Sequence, residues 1–208
     1  MSMRSSREMV AVLVFLVFVL PACTLPNAKL SEPPGLSEIS SSRATGTTNL
    51  VPVLSAIKKA AGTYDTMFVP PVTELNKVTA NFSFFISMFT GCDEMKKPIE
   101  NSLRGAQVLQ VELLKAKNTL LLSSPTTDKE KQIVAAGDEL IMKMGEFSTL
   151  VLRDLVPDDS AYFASCQGRI MTQLNPENGA SHDKTSREVE AAPNSLAATK
   201  NRFLATLN

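Results

Sequence analysis

Histidine is almost absent from this 208-residue chain, which has a single one, His182, no tryptophan, two tyrosines and three cysteines. One imidazole excludes most catalytic arrangements. A Ser-His-Asp or Cys-His set needs its histidine on a rigid scaffold, and His182 stands in a polar stretch where a solvated side chain is expected. A carboxylate-bridged di-metal site in a helical protein needs Glu-x-x-His on two helices, and no such sequence occurs. His-Glu-x-x-His, Cys-x-x-Cys, a Gly-rich phosphate loop and an EF-hand loop are equally missing. The expectation is a non-enzyme with no catalytic, cofactor-binding or metal-binding residue.

An excess of charge is lacking too. Lys and Arg number 21, and so do Asp and Glu. Nothing draws the chain to a polyanion, so nucleic acid is not an expected partner. No apolar–polar alternation of period two runs for any length, which argues against half-buried strands. Apolar residues still make up 44%, enough for one globular domain with a real core.

Long apolar runs are scarce, and the one that exists is informative. Arg4 and Arg7 precede an unbroken series from Met9 to Leu20, followed by Pro21-Ala22-Cys23. The run is shorter than the roughly 20 residues of a membrane-spanning helix. It fits the basic, apolar and small-residue regions of a secretory signal, so residues 1–22 read as a signal peptide and the mature chain as secreted, with no transmembrane span. Its removal takes two of the 21 basic and one of the 21 acidic side chains, leaving a net charge near −1. Leu20-Pro21-Ala22-Cys23 also resembles a bacterial lipobox, which makes Cys23 a candidate lipidation site and a lipid-anchored bacterial protein the alternative. Pro21 fits that motif poorly.

Residues 23–46, rich in Ser, Pro, Gly and Thr, read as a flexible linker. A helical domain over 47–174 follows. Leu50, Leu54, Ile57, Ala61, Tyr64 and Phe68 line one face of a first helix, with Thr48 or Asn49 as its cap, Pro52 in its first turn and Pro70-Pro71 as its stop. Leu75, Val78, Phe82, Phe85, Ile86 and Phe89 line a second, with Gly91 as C-cap. A third spans about Pro98 to Leu122 on Ile99, Leu103, Ala106, Leu109, Leu113, Ala116 and Leu120. The fourth opens on a capping box, Thr127-x-x-Glu130, runs through Ile133, Gly137, Leu140, Met144, Phe147, Val151 and Leu155, and stops at Pro157. A shorter fifth uses Tyr162, Phe163, Cys166, Ile170 and Leu174, capped by Asp158 or Asp159. Residues 175–208 read as a polar, mobile segment with a short helix from about Asn194. The expected fold is all-α: an antiparallel bundle of four main helices plus a short fifth.

Cys92 and Cys166 are expected to form a disulfide, since export favours oxidation and the third cysteine is either discarded or lipidated. Met142 and Met144 are expected to fill the core. The carboxylate pairs Asp138-Glu139 and Asp158-Asp159 are read as solvated or capping groups, because helix neighbours point about 100° apart. The second helix holds one oddity. With Phe82 at zero, Phe84 falls at about 200° and Met88 at about 240°, away from its main apolar face. Asn81-Phe82-Ser83 is a glycosylation sequon beside them. Phe84 and Met88 are therefore candidate partner- or ligand-binding residues, and Asn81 a candidate glycan site.

The functional expectation is a secreted helical binding protein, of signalling-ligand or effector type, acting by contact with an extracellular or host protein. A carrier of a lipid or other small apolar ligand is the further alternative.

Overall fold

The computed structural model describes residues 35–41, 50–81, 93–168 and 176–208, and contains no strand among them. Helix α1 is Ser37–Ser41, α2 Val51–Thr63 and α3 Val69–Asn81. Helix α4 is Lys96–Leu121, α5 Asp128–Leu150, α6 Val156–Gly168 and α7 Pro176–Leu207. The all-α expectation holds.

Two expected stops do not stop a helix. Between α2 and α3 the backbone passes through a π-turn, Tyr64–Phe68, and between α5 and α6 through another, Val151–Leu155. In each, an N–H reaches back five residues: Val69 to the Tyr64 carbonyl, and Val156 to the Val151 carbonyl. Both sit just ahead of proline, at Pro70-Pro71 and Pro157. A proline ring clashes with the carbonyl four residues back and offers that carbonyl no donor. One extra residue in the preceding turn widens it, and the helix continues instead of breaking.

Helix α4 is the centre of the fold, packing on α2, α3, α5, α6 and both π-turns. Its approach to the first π-turn is close. A Cβ on Gly105 would lie 2.2 Å from the Met67 carbonyl oxygen. That carbonyl is the one Pro71 cannot serve, and the bare Gly105 backbone lets it face α4. A second glycine, Gly137, admits Ile57 Cδ1 and the Phe203 ring between α5, α2 and α7.

The expected core faces are largely those found. Leu50, Ile57, Ala61, Tyr64 and Phe68 are buried on one side, and Ile133, Leu140, Met144, Phe147, Val151 and Leu155 on the other. Phe68 and Phe147 meet edge to face at 5.3 Å between ring centroids, and Tyr64 stacks at a tilt on Phe68 at 5.4 Å. Tyr64 is wholly buried and its hydroxyl has no hydrogen-bond partner among the described residues. Burial, reinforced by Asp65, pushes its ionisation far above the ordinary tyrosine range. An orphaned hydroxyl in a core costs stability. Tyr64→Phe is therefore expected to leave stability unchanged or raise it by about 1 kcal/mol in urea unfolding. A loss of more than that amount would reveal a partner for the hydroxyl.

The capping box forms as expected. Thr127 Oγ1 accepts from the Glu130 N–H at 3.2 Å, and Glu130 Oε2 accepts from the Thr127 and Thr126 N–H groups at 3.0 and 2.8 Å. Those donors hold the Glu130 carboxyl below its usual range. Thr127→Ala is expected to cost about 1 kcal/mol, read as a shift in urea midpoint at constant slope.

Several expectations are corrected. The helix start before Pro52 is Leu50, which gives no side-chain cap. Part of the expected linker is packed: Leu36 and Ile39 are fully buried. The Leu36 N–H donates to both Asp65 carboxylate oxygens, at 2.7 and 2.9 Å, and Lys200 pairs with Glu38 at 3.0 Å. From Pro176 onward the expected mobile stretch 175–193 belongs to α7, which runs through Pro193. Proline at its first position is compatible with helix, and Val189, Leu196, Phe203 and Leu207 bury on its core side. Met142 is half exposed, whereas Met144 is buried. Asp159 is fully buried, not solvated. The neighbours Asp138 and Glu139 diverge as the helix geometry requires, Asp138 pairing with Lys117 on α4 and Glu139 with Arg202 on α7.

Candidate contact surface on helix α4

Of the residues singled out from the sequence, Asn81 is the last of α3 and Cys166 lies on α6. Cys23, Phe84, Met88 and Cys92 fall outside the described residues. The candidate surface lies elsewhere, on the outer face of α4.

Ile99, Ala106, Leu109, Leu113, Ala116 and Leu120 turn one side of α4 to the core. Leu103, Val111, Leu114 and Leu121 fall beside that face, within about 80° of one another at 100° per residue. Leu114 is 63% exposed, Leu121 71% and the adjoining Leu122 85%. Leu103, expected in the core, is instead at 37% the least exposed member of this stripe. Between these residues stand Gln107, Gln110 and Asn118, polar but uncharged.

Ion pairs border the stripe on both sides. Glu112 holds Lys59 of α2 at 3.1 Å and Lys115 at 2.8 Å. Both lysines keep the Glu112 carboxyl below its ordinary range, Lys115 more strongly. On the other flank Lys117 pairs with Asp138. These pairs tie α4 to its neighbours and leave its outer arc without a partner among the described residues. Single exposed apolar residues are ordinary on a protein surface, but four recurring along one side of a helix make that side the candidate contact surface.

The stripe could have been found in the sequence. The all-round apolar test that picked out Phe84 and Met88 also flags Val111 and Leu114, which fall off the core face of the third helix. The stronger core period of the same helix masks them.

A groove of about 440 Å³ opens between the end of α5, the second π-turn and α7, lined by Lys143, Glu146, Phe147, Arg153, Ala192 and Ser195. Its cations are already matched. Lys143 pairs with Glu146 at 2.6 Å, and Arg153 pairs side-on with Asp154 at 2.8 and 2.6 Å. It therefore offers an anion little free charge. Among the described residues, no group of three His, Cys, Asp or Glu could hold a metal ion, and no helix is long and apolar enough to cross a membrane.

The chain matches no family model, no curated protein and no solved structure.

Proposed function

We propose that this is an exported helical binding protein that acts by protein–protein contact outside the cytosol, without catalysis, and that the outer face of α4 is its contact surface. The observation that carries this reading is the row of exposed apolar side chains on α4, flanked by ion pairs already satisfied within the chain. The basic and apolar pattern of residues 1–22 supports export by a cleaved signal. The scarcity of histidine supports a role without chemistry. In this reading α4 is the central member of an antiparallel bundle, and four neighbouring helical elements hold its outer face rigid. A rigid apolar row with uncharged polar residues between its members suits a partner helix.

The test is saturable binding of the purified chain to a panel of secreted proteins and receptor ectodomains that includes the chain itself. Binding to at least one member is expected, weakened at least about tenfold by Val111→Glu with Leu114→Glu, since each buried charge removes apolar contact and adds desolvation. Absence of saturable binding across the panel, or binding that the double variant leaves unchanged, would overturn the proposal.

A further inference from the structure

We infer that the helix fitting the outer face of α4 is α4 of a second copy, laid antiparallel across a two-fold axis. This rests on the reading of that face as a contact surface and names its occupant. Three pairs of exposed positions on this face mirror one another in sequence. Reflection about the midpoint between Glu112 and Leu113 exchanges Val111 with Leu114, Gln107 with Asn118, and Leu103 with Leu122. All six side chains are exposed. A two-fold interface demands this exchange, because residue i meets j while j meets i. At these three pairs apolar residues face apolar ones and amides face amides, over about 28 Å of helix at 1.5 Å per residue.

The charges select the same arrangement. Between Leu103 and Leu122, Arg104 and Lys115 are the basic residues on the exposed arc, and Lys115 is held by Glu112 at its edge. A parallel pairing in register would set Arg104 against Arg104 and Lys115 against Lys115. The antiparallel one sets Arg104 beside Leu121 and Lys115 beside Gln110, separating like charges. Opposed like charges act as a penalty against the wrong register.

A single helix pair makes a small interface, so association is expected to be weak, with Kd on the order of 10 µM. Sedimentation velocity over a concentration series of the purified chain tests it. Gln107 and Asn118 lie on different turns of one chain but meet across the dyad. Gln107→Lys with Asn118→Lys is expected to raise Kd at least about tenfold, whereas Gln107→Lys with Asn118→Glu keeps it within about threefold of the wild type. Helical circular dichroism should be the same in both, because the positions are exposed.

A chain monomeric to about 500 µM overturns the inference, as does a dimer that treats the two double variants alike. In a monomer, binding of an apolar fluorescent dye separates the two readings. Loss of dye binding in Val111→Glu with Leu114→Glu leaves α4 as a contact surface for another protein. Unchanged dye binding removes the contact surface as well.

Discussion

Replacing Phe147 with alanine is expected to lower the unfolding free energy by about 4 kcal/mol, the usual scale for emptying a buried aromatic site. For a chain of this length the melting temperature should fall by roughly 10 °C. Phe147 is 1% exposed. It meets Phe68 edge to face at 5.3 Å and Tyr64 at 6.5 Å, so its loss takes one aromatic partner from each of two rings and leaves them only each other. Both rings belong to the first π-turn, and Phe147 itself stands four residues before the second. The contact therefore joins the two places where proline forces the backbone to widen. Phe147→Leu, which keeps most of the volume, should recover about half of the loss. A cost near 1 kcal/mol for Phe147→Ala, measured by urea unfolding, would show that the site collapses around the smaller side chain and that the trio does not hold the turns.

Gly105→Ala carries the second large effect, a loss of about 3 kcal/mol. Alanine is the better helix former by about 1 kcal/mol, so propensity alone predicts a gain. The opposite sign is expected because the new Cβ would sit 2.2 Å from Met67 O and 3.3 Å from the Phe68 Cα. Both are backbone atoms and cannot rotate away. Other glycines supply the contrast. At Gly62 the nearest atom to an added Cβ is Ser40 Oγ at 3.7 Å, and at Gly145 it is Leu113 Cδ1 at 3.9 Å. Alanine at either is expected to stabilise by about 0.5–1 kcal/mol. Gly137 falls between, since the atom met at 2.5 Å is the rotatable tip of Ile57. Thermal unfolding of the four variants would check the order. A stabilising Gly105→Ala would mean that α4 and the first π-turn do not touch.

The candidate surface was less legible than the fold. Leu103 shares the three-to-four spacing of Ile99 and Ala106, so periodicity assigns it to the core. Val111 and Leu114 leave the core face by periodicity alone, but only the positions of α2, α3, α5 and α6 around α4 put Leu103 on the outer arc with them. Met142 and Asp159 were misplaced for the same reason. A short window of sequence states which residues are apolar, but not how many sides of a helix have neighbours.

By itself the sequence determined the all-helical class, the start of α5 and the core side of α2 and α5. These rest on local physics: a capping box closes within four residues, and a 3.6-residue period selects one face. Only the tertiary structure decided that helices run through Pro70-Pro71, Pro157 and Pro193, and that residues 35–41 and 176–207 join the packed body. A proline weakens a helix by its missing donor and its ring clash. Whether the chain then breaks or widens into a π-turn depends on the packing gained by continuing, and that packing comes from residues distant in sequence. The same long-range packing left one side of α4 uncovered by the described residues.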